Sequence, residues 1–345
     1  MAARAITIED VARMSGVSRQ TVSRVLNDHP NVRDEVRERV RSAISSLGYA
    51  PNLAARRMGG AKSYLIMAIN DRQRTLENWE AERGNDWVDQ MLRGGMLACE
   101  ANGYHMLFEL IDTDERAVTR LSEILSSLRP DGIVLTPPHS ENSDLWELLE
   151  SRNCPFVVLN TPVHDDMLQA GMDERAAAVS ATRHLTDLGH RRIAFLSGRR
   201  DYGNTSLRVD GFLSEVERVG GETLVELADF SFDTAARVTT EWLESGAPPS
   251  AIIAENDEMA FAVLHVANLL DIKVPEQLSV MSFEDTPGVR FSVPPLTAIR
   301  QPTAAIVACA CDMLMTVAEG KTVEPHHVLP FELIVRDSTA RYAAA

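Results

Sequence analysis

The sequence has few cysteines and no stretch that resembles a membrane span or a secretion signal. Its four cysteines, Cys99, Cys154, Cys309 and Cys311, are scattered along 345 residues, which excludes the disulfide framework of a small secreted domain. No segment approaches the roughly 18 apolar residues that cross a bilayer. The first nine residues contain no apolar run of signal-peptide length. We therefore expect a cytoplasmic protein that does not bind membranes.

Signatures of cofactor and metal binding are also missing. No Gly-x-Gly-x-x-Gly motif follows a predicted strand, and no phosphate-loop lysine motif occurs, so we expect no nucleotide cofactor. Cys309 and Cys311 are two residues apart in a predicted helix and therefore point to different faces. We expect them to be buried small apolar side chains, with no metal site.

Basic charge is scarce except at one end of the chain. The net charge is −16, but residues 1–62 hold 11 basic and 6 acidic residues, so that this segment carries +5 and the remainder −21. A basic end on an acidic body is typical of a protein that contacts nucleic acid at that end only, because the acidic body repels phosphate.

Three short helices are predicted in the basic segment. The first runs from Thr7 to about Met14, the second from Arg19 to about Leu26 behind an N-cap at Ser18, and the third from about Arg33 to Ser46 before Gly48. Their apolar positions predict a small core made of Ile8, Val11, Ala12, Val17, Val22, Val25, Leu26, Val36, Val40, Ala43, Ile44 and Leu47.

With that core buried, the second helix exposes a polar face that includes Arg19, Gln20, Ser23 and Arg24. Arginine donates two hydrogen bonds to guanine and glutamine pairs with adenine, so this face suits a helix that reads the major groove. The alternative is the solvated face of an ordinary three-helix bundle.

The residue strings around this helix favour the first interpretation. Ile8-Glu9-Asp10-Val11-Ala12, Gly16-Val17-Ser18, Thr21-Val22-Ser23-Arg24-Val25-Leu26-Asn27 and Gly48-Tyr49-x-Pro51-Asn52 closely resemble the headpiece of the lac-repressor and purine-repressor family. The resemblance implies a helix-turn-helix DNA-binding headpiece over residues 1–48. The DNA-binding residues that it implies are Thr7, Ser18, Arg19, Gln20, Thr21, Ser23, Arg24, Asn27, Asn52, Ala55 and Met58.

Residues 49–62 resemble the hinge of that family, which folds into a helix on the operator and wedges an apolar side chain into the minor groove. The stretch is suitable, because Asn52 can cap a helix and Gly59-Gly60 can end it. The usual wedge is leucine, and Met58 stands there in this sequence; methionine also inserts between base steps. A linker helix that never meets DNA is the alternative.

From Ser63 onward, strand-like and helix-like segments alternate, which predicts a doubly wound α/β architecture. The apolar runs are typical of buried parallel strands. They are Tyr64–Ile69, Tyr104–Leu110, Gly132–Leu135, Phe156–Leu159, Ile193–Leu196, Ile252–Ile253, Leu278–Phe283 and Val328–Val335. The predicted helices include Val88–Asn102, Ala117–Leu128, Glu174–Leu188, Leu207–Val219 and Met259–Leu270.

The family resemblance extends through this acidic body. It is carried by Asp187-Leu188-Gly189-His190-Arg191-Arg192-Ile193, Arg208-x-x-Gly211-Phe212, Asn256-Asp257-x-Met259-Ala260 and Pro294-Pro295-Leu296-Thr297-x-Ile299-x-Gln301. It implies a periplasmic-binding-protein-like core of two doubly wound parallel-sheet lobes. The implied N-terminal lobe is 63–162 plus 302–322, and the implied C-terminal lobe is 163–301 plus 323–345.

Ligands of open α/β sheets bind beyond the carboxyl ends of the strands, which here places an effector between the lobes. The resemblance supplies Asp71, Arg208, Phe230, Asn256, Glu284 and Gln301 as effector-binding residues, and we add Trp87 as a stacking residue. Carboxylates, amides and arginine suit sugar hydroxyls, and aromatic rings suit the apolar face of a sugar. As alternatives, Arg208 is a structural ion-pair partner, Asp257 only caps a helix, and Trp87 shields the lobe surface.

Two features depart from the family pattern. Glu284 replaces the more usual aspartate, which displaces the sugar or indicates one of another shape. The charged stretch Asn70–Asp86, which contains Trp79, predicts a long loop at the cleft mouth. That loop either enlarges the site for a disaccharide or glycoside, or is a surface insertion without ligand contact.

Together these features predict a homodimeric repressor of carbohydrate-utilisation genes that binds a pseudo-palindromic double-stranded operator, with its affinity controlled by a mono- or disaccharide or glycoside. No leucine heptad follows Val335, which favours a dimer. One rival is a transport-type sugar-binding protein. The other is a glycoside-cleaving enzyme that uses Glu255 with Asp257 or Glu284 with Asp285. Because neighbouring side chains on one strand diverge, we predict no enzymatic activity.

Overall fold

The computed structural model describes residues 6–26, 31–49, 62–81, 85–162, 166–199 and 201–343. The chain divides into two compact units between Ser63 and Tyr64. The first unit is helical, and the second contains two six-stranded sheets.

Three helices form the first unit, the headpiece: α1 Ile8–Ser15, α2 Arg19–Leu26 and α3 Asp34–Leu47. Each lies within one residue of its predicted bounds. The turn between α1 and α2 begins at Gly16, whose φ of 66° is a left-handed conformation that glycine adopts without strain. This turn allows two short helices to pack at an angle.

The headpiece core is the predicted one with two additions. All twelve predicted residues belong to a single apolar cluster, which Val32 and Tyr49 complete. The predicted hinge begins at Tyr49, whereas the structure buries this side chain in the headpiece cluster. Burial of its large apolar ring stabilises that position, while the bounds of the hinge stay a prediction. The rest of the hinge, up to residue 61, lies outside the described residues.

Twelve strands occur in the described part of the core. In chain order they are β1 Leu65–Asp71, β2 His105–Ile111, β3 Gly132–Leu135, β4 Phe156–Leu159, β5 Gln169–Gly171, β6 Arg192–Ser197, β7 Glu222–Leu227, β8 Ala251–Ala254, β9 Ser279–Ser282, β10 Thr297–Arg300, β11 His326–Val328 and β12 Glu332–Ile334. The first sheet has the order β11-β5-β4-β3-β1-β2 and the second β12-β10-β9-β8-β6-β7. All pairings are parallel except that of β10 with β12.

Helices cover both faces of each sheet, as parallel strands require. In chain order they are α4 Arg72–Glu80, α5 Asp86–Ala101, α6 Arg116–Leu128, α7 Ser143–Ser151, α8 Glu174–Asp187, α9 Gly203–Arg218, α10 Phe232–Leu243, α11 Asp257–Leu269 and α12 Thr303–Ala318. Every residue of the central strands β1, β3, β8 and β9 is buried. The strand ends therefore have fixed positions, and the site is built on those ends.

The lobe boundaries differ from the prediction. Strands β5 and β11 pair with each other and belong to the first sheet. The chain therefore leaves the first lobe after residue 171 rather than 162, and after residue 328 rather than 322. Both strands have only three residues and include Gln169, Gly171 and two histidines, so no apolar run marks them in the sequence.

Two predicted elements are also wrong. The last predicted strand, Val328–Val335, is two short strands, β11 and β12, one in each sheet. The predicted long loop over Asn70–Asp86 contains a helix, α4, whose first turn is capped by Asp71: its Oδ1 accepts a hydrogen bond from Arg74 N at 3.2 Å. This capping carboxylate stabilises a helix that has no strong apolar stripe.

Close packing of α5 on α12 generates a stability prediction. A Cβ on Gly94 would overlap the Ala304 carbonyl, whereas one on Gly246 would meet nothing within 4 Å. Gly94→Ala is therefore expected to lower the free energy of unfolding by about 1–3 kcal/mol, and Gly246→Ala is the matched control. Urea unfolding of both variants measures the difference, and equal midpoints would contradict this packing.

Candidate functional site

The second headpiece helix presents a polar face to solvent. Arg19, Gln20 and Arg24 are exposed on α2, while Val22 and Val25 on its opposite side are buried. Thr21 and Ser23 are half-buried at the edge of the exposed face. The amphipathic pattern therefore presents three long polar side chains, two of them cationic, on one surface.

Two of the predicted DNA-binding hydroxyls have local structural partners. Ser18 Oγ accepts a hydrogen bond from Thr21 N at 3.1 Å and caps α2 as predicted. Thr7 N and Thr7 Oγ1 both donate to Asp10 Oδ2 at 2.9 Å, which fixes the start of α1. The remaining predicted DNA-binding residues, Asn27, Asn52, Ala55 and Met58, lie outside the described residues.

One ion pair lies beside the exposed face of α2. Arg19 Nη1 is 3.3 Å from Glu9 Oε1, and both side chains are more than half exposed. An exposed pair of this kind stabilises by about 0–1 kcal/mol, so it leaves the guanidinium readily available to an anionic partner.

In the core, a cleft lies between the lobes at the carboxyl ends of their strands. Asp71 at the end of β1 and Trp87 on α5 line it from the first lobe. Arg208 on α9 and Phe230, which precedes α10, line it from the second. Glu284 follows β9 and Gln301 follows β10, so six of the seven predicted effector residues surround one cavity.

Asn256, the seventh, is not among the lining residues. Its Oδ1 accepts a hydrogen bond from Met259 N at 2.8 Å, and its Nδ2 donates to the Phe230 carbonyl at 3.1 Å. Asn256 therefore caps α11 and holds Phe230, whose φ of 62° is unusual for a residue other than glycine. The cap that we considered for Asp257 belongs to Asn256.

Arg208 is a buried ion-pair partner as well as a lining residue. Its Nε is 2.7 Å from Glu174 Oε2 and its Nη1 is 3.2 Å from Glu255 Oε1, with all three side chains at most 3% exposed. The ion-pair alternative for Arg208 is therefore confirmed, and its effector-binding role stays a prediction.

The ring of Phe230 has a cation over its face. The Arg74 guanidinium carbon lies 4.7 Å from the ring centroid, and Arg74 Nη1 donates to the Asp229 carbonyl at 3.4 Å. Tyr202 meets the same ring edge-on, with 5.3 Å between centroids. A sugar that stacks on this face of Phe230 must displace the Arg74 side chain.

Asp71 connects the lobes. While its Oδ1 caps α4, its Oδ2 accepts a hydrogen bond from the Tyr202 hydroxyl of the other lobe at 3.3 Å. Burial of Tyr202, and after it the nearby charge of Asp71, raise the pKa of the Tyr202 hydroxyl well above its usual value, so this hydroxyl stays a donor. Residues that line the cleft are therefore also residues that hold the lobes together.

The carboxylates proposed for glycoside cleavage are engaged in the fold. Asp257 Oδ2 accepts from Thr286 N at 2.7 Å, and Asp285 forms ion pairs with Arg300 and Arg336. Burial and the neighbouring Asp257 raise the pKa of Glu284 to about 8. Of the four candidates, Glu255 and Glu284 line the cleft, but Glu255 is bound to Arg208, so neither predicted pair has two available members.

Ten of the lining residues were not predicted as effector-binding, among them Arg74, Asn160, Tyr202, Asn204 and Glu255. Asn160 and Glu255 directly follow β4 and β8, so the rule that ligands bind at strand ends identifies both. Arg74 is on the segment predicted as a loop. Asn160 Oδ1 is a buried acceptor without a hydrogen-bond partner among the described residues, which suits a ligand hydroxyl.

Membrane and metal signals are also missing from the part of the chain that the structure describes. There, no helix has the length and apolar character needed to span a bilayer. The same residues contain no metal-binding cluster of histidine, cysteine and carboxylate side chains. Cys311 is buried in the main apolar cluster and Cys309 packs against it, as predicted for small apolar residues.

Two family models match the chain. Residues 7–52 match that of the bacterial regulatory proteins of the lacI family, and residues 182–339 match the periplasmic binding protein-like domain. The HTH-type transcriptional regulator CelR of Thermobifida fusca is 29% identical over 341 residues, which are 96% of this chain and 98% of CelR. The lactose operon repressor of Escherichia coli K12 is 26% identical, over 97% of this chain and 91% of the repressor.

Two solved structures are also similar to this chain over nearly its whole length. A CelR–cellobiose complex superposes with a TM-score of 0.72 at 27% identity and covers 96% of this chain and 99% of that one. The lac repressor dimer bound to operator and the anti-inducer ONPF superposes with a TM-score of 0.81 at 25% identity, over 98% and 100%. The similarity therefore covers the headpiece and both lobes.

The raised pKa of Glu284 predicts a pH dependence. This carboxyl ionises near 4.5 in an unfolded chain and near 8 in the fold, so its stabilising contribution is complete below pH 4.5 and is lost as the pH rises to 8. Glu284→Gln should therefore lose less unfolding free energy between pH 5 and 8 than the wild type. Urea unfolding across this range, with the exposed Glu276→Gln as control, measures it. Parallel profiles for all three proteins would refute the assignment.

Proposed function

Because the chain belongs to the lacI family of bacterial regulatory proteins, we propose that it is a sequence-specific transcriptional repressor of carbohydrate-utilisation genes. In this proposal, a sugar bound between the two core lobes controls its affinity for operator DNA. The protein acts in the cytoplasm as a homodimer. The observation that carries the proposal is the presence, in one chain, of a basic helix-turn-helix headpiece and a two-lobed core with a polar cleft.

The headpiece supports operator recognition. Arg19, Gln20 and Arg24 form an exposed face on a short helix whose other side is packed in the headpiece core. Arginine and glutamine read base edges in the major groove, and the positive charge of this segment attracts phosphate. The acidic core directs DNA to the headpiece by repelling it elsewhere.

The expected form of the operator follows from the proposed dimer. The lac repressor structure to which this chain is similar is a dimer bound to operator. Two headpieces related by a twofold axis contact two half-sites, so the operator is expected to be pseudo-palindromic. Residues 49–62 are proposed as the hinge between headpiece and core, with Met58 as its minor-groove wedge.

The cleft chemistry supports a carbohydrate effector. Asp71, Glu284 and Gln301 offer oxygens and an amide to hydroxyl groups, and the Oδ1 acceptor of Asn160 has no hydrogen-bond partner within the described ranges. Trp87 and Phe230 offer aromatic surface to the apolar face of a sugar ring. Buried polar groups of this kind are satisfied when a polyol binds.

The space available supports an effector as large as a disaccharide. A second cavity shares Trp87, Glu284 and Gln301 with the cleft. A second sugar unit or an aglycone has room beyond these three residues. Cellobiose, which is bound in the CelR structure similar to this chain, is therefore the first carbohydrate to test.

Contacts across the cleft suggest how occupancy is transmitted. The lobes meet through the Tyr202–Asp71 hydrogen bond and the contacts of Arg74 with Phe230 and Asp229. A ligand that replaces these contacts changes the free energy of this arrangement of the lobes relative to other arrangements. The preferred spacing of the two headpieces changes with it.

Selection of DNA from genomic fragments tests the proposal. Purified protein is expected to enrich an inverted repeat over bulk competitor, and a carbohydrate panel is expected to contain a sugar that changes this enrichment. A change of either sign supports control by the cleft. A protein that shows no preference for any inverted repeat, with and without sugars, would overturn the proposal.

The exposed face of α2 generates a prediction about base reading. Gln20→Ala should weaken binding to the selected operator by about 1–3 kcal/mol and leave binding to random DNA almost unchanged, because glutamine contributes through a base edge. Fluorescence anisotropy with both DNAs measures this, and Ser46→Ala, exposed on α3, is the control. An equal loss on random DNA would assign Gln20 to phosphate contact only.

The cleft generates a matched pair of tryptophan variants. Trp87 lines the cavity, whereas Trp79 on α4 is 51% exposed and does not. Trp87→Ala should weaken the binding of cellobiose, or of another sugar found by the panel, by about 0.5–1.5 kcal/mol through loss of stacking. Trp79→Ala should leave this binding unchanged. Isothermal titration calorimetry compares them, and equal affinities in both variants would mean that Trp87 only shields the lobe surface.

A further inference from the structure

We propose that Glu255, together with Glu174, makes the cleft selective for uncharged carbohydrates, because the two carboxylates more than cancel the charge that Arg208 would otherwise present to an anionic sugar. The inference deepens the proposed function and rests on it, since it concerns the ligand of the same cleft. It divides carbohydrates by charge: neutral sugars are accepted, and sugar phosphates and sugar acids are rejected.

Glu255 is fixed from three directions at the end of β8. Its Oε1 accepts hydrogen bonds from Thr205 Oγ1 at 2.7 Å and from Arg208 Nη1 at 3.2 Å. Its Oε2 accepts from Gly198 N at 2.6 Å, and the side chain is fully buried. This carboxylate therefore cannot turn away from Arg208 when a ligand enters.

Arg208 faces a second carboxylate on its other side. Its Nε donates to Glu174 Oε2 at 2.7 Å, and both side chains are almost completely buried. One guanidinium between two carboxylates has no uncompensated positive charge to offer. It still has an N–H group at Nη2, which donates equally well to a neutral hydroxyl oxygen.

Asp71, a further acidic lining residue, also disfavours an anion. The cation of Arg74 is positioned over the Phe230 ring and bonded to the Asp229 carbonyl. A phosphate or carboxylate group would therefore meet carboxylate oxygens in a partly buried site, where solvent and salt screen the repulsion weakly. A hydroxyl group can donate to the same oxygens.

Glu255 has an alternative role as a purely structural anchor of Gly198 and Thr205. The variant Glu255→Gln separates the two roles, because glutamine keeps the length of the side chain and an acceptor oxygen but removes the charge. The matched control is Glu241→Gln, an exposed glutamate of the same lobe that pairs with Arg237 on the surface of α10.

The experiment measures binding of inorganic phosphate, glucose 6-phosphate, glucose and cellobiose to the full chain at constant ionic strength, by calorimetry and thermal shift. The wild type and Glu241→Gln are expected to bind neither anion better than the neutral sugars. In Glu255→Gln, affinity for phosphate and glucose 6-phosphate should rise about tenfold or more, because Arg208 has lost one of its two counter-charges.

Two results would overturn the inference. One is wild-type protein that binds glucose 6-phosphate more tightly than glucose; the other is folded Glu255→Gln with unchanged affinity for both anions. If Glu255→Gln fails to fold, Glu174→Gln removes the other counter-charge and is judged by the same anion titrations. Operator binding is measured on the same samples, so a failure of the charge argument is distinguished from a failure of the repressor proposal.

Discussion

Strand direction is the constraint on which the core of this protein depends. All strand pairs except β10 with β12 are parallel, so each lobe collects its strand ends at a single edge. Buried apolar residues fix the strands, and the polar residues that follow them meet in one place. Asp71, Glu255, Glu284 and Gln301 are far apart in the chain and line one cavity for this reason.

The cleft combines binding and mechanical roles in the same side chains. Asp71 caps a helix, receives the Tyr202 hydroxyl from the other lobe, and lines the cavity. Glu141 of the first lobe likewise accepts a hydrogen bond from Gly203 N at the start of α9 in the second, at 2.6 Å. Because cleft residues hold the lobes together, a ligand cannot enter without competing for these contacts. This competition is the physical basis proposed for coupling between effector and DNA.

Much of this arrangement is predictable from the sequence, and the failures have physical causes. The headpiece core and central strands follow from strong apolar periodicity, which the structure confirms for α2 and for Gly132–Leu135 and Phe156–Leu159 without a change of bounds. Strands β5 and β11 are too short and polar to give such a pattern. Helix α4 depends on a cap at Asp71 and on tertiary packing, so composition alone indicates a loop.

The candidate site also contains residues that are predictable from the sequence and residues that are not. Residues at or near the carboxyl ends of strong strands, such as Asp71 and Glu284, are predictable because position in a parallel sheet determines where they lie. Asn256 shares that position, yet its side chain caps α11 and holds Phe230, because a buried amide satisfies the nearest backbone groups first. The partners of Arg208 come from α8 and β8, and only the packed structure brings them together.

The central claim is that occupancy of the cleft and occupancy of the headpiece are energetically coupled. The most direct measurement is the dissociation constant of the full-length protein for its operator without sugar and with saturating cellobiose, or another carbohydrate that binds the cleft. The account predicts a change of about 5–150-fold, and an equal change in sugar affinity when operator is bound. An operator affinity that stays constant while the cleft is saturated would contradict it.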